Sequence, residues 1–265
     1  MMWWLACVAP TEHSESPDPQ PEPTESSPTP SDSSDSADPA TGETGTPPPA
    51  DPLSTWADEV VSAPGQSDAP FGDPALAVNG ARGAGSFAGG VDVYALGAND
   101  DDATLVVRWS GRRLVDGPGT DLVVFENAFD VAPGVRFMDP AVVEVSADGT
   151  HFVAFAHSYE AAEASEWSAD PSVWVGFAGV TPVLLHESDL VVDPFDPIVA
   201  GGDGFDLADL DPVAAAEVLA LGVLSVRITS ALAAVNPETG QFYPHDPVAN
   251  GSDIDAVYGR MLVWE

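Results

Sequence analysis

Carboxylates dominate the chemistry that this sequence offers. Asp116 and Asp121 bracket a Gly-Pro-Gly turn, and the short apolar run that follows ends in Glu126-Asn127. Asp203, Asp206 and Asp209 recur every third residue beside glycine-rich backbone, while Asp253 and Asp255 stand two apart, a spacing that puts both side chains on one face of a strand. Irregular loops rich in such oxygens suit a hard divalent cation, and Ca2+, which accepts about six to eight oxygen ligands, suits them best. The metal-ligand set expected from the sequence is therefore Asp116, Asp121, Glu126, Asn127, Asp203, Asp206, Asp209, Asp253 and Asp255, with calcium as the bound ion. None of these clusters has the alternating Asp spacing of an EF-hand loop.

Aspartate is also a frequent turn former and helix cap. That plainer role is the expectation for Asp148, Asp206 and Asp211. Asp121, Glu126 and Asp255 adjoin apolar strand residues, so burying them calls for an arginine, backbone donors or a metal. Arg227 and Arg108 are the candidate arginines.

Aromatic residues supply a second cue. Trp167, Trp174 and Tyr243, with Phe177 and Phe242, fall in segments of loop-like composition, where an exposed ring can stack on a sugar. The plainer expectation is that they cover an edge of the core. Catalytic signals are weaker. Paired carboxylates would serve a polysaccharide hydrolase, but so many acids provide such pairs everywhere. His151, His157, His186 and His245 form no His-Glu-x-x-His pattern, and Gly-x-Ser-x-Gly is absent. Gly83-x-Gly85-x-x-Ala88 loosely resembles a dinucleotide fingerprint but lacks a strand leading into it and a helix leading out.

The charge balance narrows the partners. The chain has 43 acidic residues against 7 basic ones, all arginine, for a formal charge of −36. Such a polyanion repels nucleic-acid backbones and anionic lipid surfaces, which leaves divalent cations, extracellular glycans or surface proteins as partners. The acids are unevenly spread. Residues 11–52 consist almost wholly of Pro, Ser, Thr, Asp and Glu and contain no Val, Ile, Leu, Phe, Met, Trp or Tyr, the composition of a disordered, self-repelling spacer. Ahead of it, Trp3-Trp4-Leu5-Ala6-Cys7 resembles the end of a bacterial lipoprotein signal, which would make Cys7 a lipidation site. With only one cysteine in the chain no internal disulfide can form. The expected organisation is a signal remnant over 1–10, a linker over 11–52 and a folded domain over 53–265. Its location would be the bacterial cell surface or outer membrane, with the lipid as the only membrane attachment.

The elements that must position these residues are mostly strands. Leu105, Val107 and Trp109 alternate with polar neighbours, as do Val226 and Ile228, and Met261–Trp264 reads as a last strand. Val142–Val145 and Phe152–Phe155 flank Asp148-Gly149, which predicts a hairpin with a tight type I′ turn. One short helix is expected, capped by Asp211, with Pro212 in its first turn and Gly222 closing it. Short strands separated by Gly, Pro and Asp predict an all-β fold, an antiparallel jelly-roll-like sandwich.

Gly89–Gly97, Val115–Phe129 (Val-Asp-Gly-Pro-Gly-Thr-Asp-Leu-Val-Val-Phe-Glu-Asn-Ala-Phe), Val143–Gly149 with Phe152, Gly202–Leu210, Val226–Ile228 and Asp253–Val257 follow one another over residues 70–265. Together these stretches resemble a family of bacterial cell-surface proteins and surface lipoproteins. The resemblance implies a secreted β-sandwich and names no reaction; the function expected of the chain is a non-catalytic binding or adhesion module, with a secreted polysaccharide hydrolase as the alternative. This chain departs from it by a long insertion over about residues 158–197.

Overall fold

The computed structural model describes residues 55–97, 103–186, 188–189, 192–248 and 251–265. The segments expected to be a signal remnant, with Cys7, and an acidic linker lie outside the described residues.

The domain is all-β, with antiparallel sheets and one short α-helix. Five strands form the first large sheet, in the order Glu59–Ser62, Thr104–Arg108, Ser225–Ser230, Ala141–Ser146, Val153–Ala154. Four form the second, in the order Asp203–Phe205, Leu122–Glu126, Asp253–Gly259, Tyr94–Ala95. Neighbours in space are seldom neighbours in sequence, so both sheets are closed by long-range pairing. Their inner faces meet in one core, where Leu105, Val107, Val143, Val145, Val226 and Ile228 of the first sheet pack on Leu122, Val124, Ile254 and Val257 of the second. At about 25 cal/mol per Å² of apolar surface, this burial is the main stabilising contribution.

The period-two reading holds for Thr104–Arg108, where Leu105 and Val107 are buried and their neighbours are not. The short apolar run forms the strand Leu122–Glu126, all five residues of which are buried. A segment later in the chain explains this. Val183, Leu185, Phe195 and Ala200 cover the outer face of the second sheet, against Val123, Phe125, Ala256 and Tyr258. A strand covered on both faces loses its polar alternation.

Two local expectations are corrected. The hairpin exists, pairing Glu144 with Ala154 and Val145 with Val153, but its loop spans residues 147–152 rather than two residues. Only Gly149 has positive φ there (78°), whereas a type I′ turn needs two such residues. Asp148 shapes the loop by accepting from the backbone N–H groups of Thr150 and His151, both at 2.8 Å. The helix is shorter than expected, Ala216–Leu221. Asp211 does cap, but it caps the turn that leads into the helix, accepting from Val213 and Ala214 N–H.

Candidate functional site

The structure sorts the candidate acids into three groups. The first lies where the turn over residues 115–121 meets the segment after Asp203–Phe205. One carboxylate oxygen from each of Asp116, Asp121 and Asp206 lies within 4.8 Å of the other two. Asp121 precedes the Leu122–Glu126 strand and is fully buried. Its Oδ1 accepts from Gly117 N–H at 2.9 Å and its Oδ2 from Leu207 N–H at 3.0 Å. These bonds tie the turn to the neighbouring segment. Gly117 packs closely here: a Cβ would stand 3.3 Å from Asp121 Oδ1 and would displace the flexible Met261 side chain. Asp206 caps the 3-10 turn Leu207–Asp209 through Ala208 N–H, while Asp116 is exposed. Burial raises the Asp121 pKa, the two N–H bonds oppose that rise, and the charges of Asp116 and Asp206 add to it. None of the three forms an ion pair with a described basic residue. A cation placed among them would remove that repulsion.

Asp206 also lines a cleft of about 400 Å³ together with Asp203, Asp209, Phe155, Trp174, Phe177 and Phe205. The three acids at every third position therefore do converge, but on a cleft. Of them, only Asp206 belongs to the metal-spaced triad.

The second group is interior. Glu126 ends the Leu122–Glu126 strand and is 2% exposed, Asp139 is 5% exposed, and Asp253 begins the Asp253–Gly259 strand half-buried. Glu126 Oε1 accepts from Asp253 N–H at 3.1 Å, while Oε2 is enclosed without a hydrogen-bond partner among the described residues. Burial, then the charges of Asp139 and Asp253, hold the Glu126 carboxyl well above the ordinary carboxylate range. Burial, with Asp253 and Asp246 adding to it, pushes Asp139 to about 7. Asp253 is pushed to about 6 by burial, against a hydrogen bond from the Asn127 side chain. Asn127 also clasps Gly90, accepting from its N–H and donating to its carbonyl.

Asp209 is exposed, whereas Asp203 and Asp255 accept from backbone. Asp203 Oδ2 accepts from Val180 and Thr181 N–H at 3.0 and 3.3 Å, and burial still raises its pKa to about 6. Asp255 accepts from Arg82 N–H with both oxygens, at 3.0 and 2.9 Å. Asp253 and Asp255 are not one chelating pair. A register shift between Ile254 and Ala256 interrupts simple alternation, and the two carboxylates engage different partners.

Neither candidate arginine serves a buried acid. Arg227 grips Glu144 across the sheet, Nη2 to Oε1 at 2.7 Å, and covers the Phe152 ring at 4.2 Å. Arg108 pairs with Glu59 at 2.6 Å. The sequence reading also missed Asp139. Its signal was the one used for Asp121, an acid just ahead of an apolar run, here separated from Ala141-Val142-Val143 by Pro140.

The stacking role expected of Trp174 and Tyr243 is not what the structure provides. Both are buried, at 1% and 2% exposure, in an aromatic cluster with Tyr159 and Phe177, and Trp167 packs against it. Trp174 lies 4.2 Å from Tyr159 and 5.2 Å from Trp167 between ring centroids, and its Nε1 donates to Ser168 O. Trp174 and Tyr243 therefore expose too little ring for a sugar to stack on.

Comparison of the chain with protein-family models, with curated proteins and with solved structures gives no match.

Proposed function

We propose that the chain is an exported cell-surface binding or adhesion module of the surface-lipoprotein type. In this reading it is tethered through lipid on Cys7, spaced from the membrane by its acidic linker, and dependent on Ca2+ bound at Asp116, Asp121 and Asp206. The observation that carries the reading is that triad, three mutually close carboxylates without a basic partner, bordering a cleft with aromatic and acidic walls. Calcium suits it because the donors sit on irregular loops, whose coordination geometry calcium tolerates. The cleft supplies the recognition surface for an extracellular glycan or surface protein. No helix among the described residues is long and apolar enough to cross a membrane.

The test measures thermal stability and glycan-array binding with EDTA and with excess Ca2+, for the wild type and Asp116→Ala. Asp116 is the informative position because its carboxylate makes no hydrogen bond to a described residue. Calcium at about 100 times its Kd stabilises by about 2.7 kcal/mol, or roughly 5–10 °C for a domain of this size. Asp116→Ala should keep its melting temperature in EDTA and lose the gain, together with array binding. A wild type that melts at one temperature in both buffers overturns the ion. Polysaccharide turnover that disappears on replacing one carboxylate replaces binding with hydrolysis.

A further inference from the structure

Trp174 and Tyr243 belong to the interior, and the surface presents a different ring. Phe87 is 82% exposed, more than any other aromatic side chain among the described residues. The chain fixes its loop on both sides. Gly83 and Gly85 N–H donate to the carbonyls of Leu185 and Val183, the Ser86 carbonyl accepts from Asp130 N–H at 2.7 Å, and Gly90 is clasped by Asn127. A ring carried on a loop held in this way loses little freedom when it meets a ligand.

Phe87 lines a groove of about 530 Å³ together with Asp130, Val131, Pro133, Arg136 and Pro171. Most of these residues come from the hairpin of Phe129–Ala132 and Val135–Phe137. Pro133-Gly134 turns that hairpin, with Gly134 at the positive φ (74°) that the third residue of a type II turn needs. Arg136 Nε and Nη2 both lie 2.8 Å from Asp130 Oδ1, leaving Asp130 Oδ2 as a free acceptor among the described residues. Both outer edges of the hairpin are already bonded, Asp130 N–H to the Ser86 carbonyl and Arg136 N–H to the Ala169 carbonyl. An added peptide strand therefore finds no row of open backbone groups.

These features suit one kind of occupant. An exposed ring accepts the C–H face of a pyranose, while a planar ion pair offers donors and an acceptor to the hydroxyls at its rim. The only arginine lining the groove is paired with Asp130, and the chain carries a formal charge of −36, so a uronate, sulfate or phosphate group is repelled. We propose that the groove between Phe87 and the Asp130–Arg136 pair binds an uncharged sugar residue of an extracellular glycan, the ring stacking on it and the ion pair bonding its hydroxyls. This rests on the reading of the domain as an exported binding module. It does not depend on the calcium triad, none of whose acids lines this groove.

The full-length chain in EDTA is titrated with millimolar maltohexaose, cellohexaose, xylohexaose and mannohexaose, and binding is read by saturation-transfer NMR. One ring and one ion pair bind too weakly for a glycan array to register, so this readout is separate from the calcium-dependent one. At least one of these neutral sugars should bind. Phe87→Ala, at an exposed position, should melt with the wild type and weaken that binding by about tenfold or more. Phe87→Trp should keep it, and Phe242→Ala, which removes an exposed ring elsewhere, should leave it unchanged. Binding by none of the sugars, or undiminished binding by Phe87→Ala, overturns the site, as does a loss confined to Phe242→Ala. A decaproline peptide that binds through Phe87 where no sugar does gives the groove to a protein ligand and overturns the sugar assignment. Sugar binding lost in Phe87→Ala, in a wild type that calcium does not stabilise, keeps the groove and overturns the triad. Calcium stabilisation lost in Asp116→Ala, with no sugar bound, gives the reverse result.

Discussion

Asp121 ties two segments of chain together whether or not an ion is present, and replacing it with alanine in metal-free buffer isolates that role. Its carboxylate is the acceptor for two backbone N–H groups, Gly117 and Leu207, at 2.9 and 3.0 Å. A hydrogen bond to a charged acceptor contributes about 1.5–3 kcal/mol net, and a buried donor left without a partner costs about 1–3 kcal/mol. Removing the acid also relieves the cost of burying it, which burial and the neighbouring acids make appreciable. The balance is a loss of roughly 2–4 kcal/mol. For a domain of about 150–250 residues each kcal/mol shifts Tm by roughly 2–4 °C, so Asp121→Ala should melt about 5–15 °C below the wild type in EDTA. Asp116→Ala is the control from the same triad and should stay within about 2 °C. Circular dichroism melts, supported by urea titration, make the measurement. If Asp121→Ala melts within 2 °C of the wild type, the two bonds do not hold the turn, and this account of the triad's geometry is wrong.

Two other outcomes follow from the buried groups. Burial pushes Asp203 and Asp255 from 3.8 to about 6 and about 7, so the folded chain keeps protons that the unfolded chain releases above about pH 4. Their contribution to stability is complete below that pH and is lost as the pH rises through 6 and 7. At about 1.4 kcal/mol per pKa unit, the melting temperature in EDTA should fall between about pH 5 and pH 7.5 by the equivalent of a few kcal/mol. Asp255→Asn should flatten the slope, and a rise over that interval would contradict the assignment. Trp174→Ala removes the centre of the aromatic cluster and should cost about 3–5 kcal/mol in urea titration; a loss under about 1 kcal/mol would return Trp174 to the surface role expected from its sequence context.

Much of the fold was legible because strand periodicity is local. Leu105 and Val107 alternate with polar residues whatever lies beside them, and the sheet only has to accept that pattern. Asp211 ahead of Pro212 marks a cap by the same local logic. The hairpin loop was misjudged because Asp-Gly favours positive φ, whereas Asp148 gains more by accepting two N–H groups in a longer loop. The candidate site was legible only in part. The Asp116–Asp121 turn is compact in sequence, and both acids stay together with Asp206. Asp253 and Asp255 were separated by a strand irregularity that no spacing rule reveals.

The sequence by itself determined the charge, the strand-forming segments and the supply of hard oxygen ligands, since these depend on residue type and near neighbours. Only the tertiary structure decided which acids meet. Glu126 and Asp253 are 127 positions apart in the chain and one hydrogen bond apart in space, because strand pairing in the second sheet joins distant segments. It also decided that Trp174 and Tyr243 face inward, for exposure depends on what the rest of the chain lays over a ring.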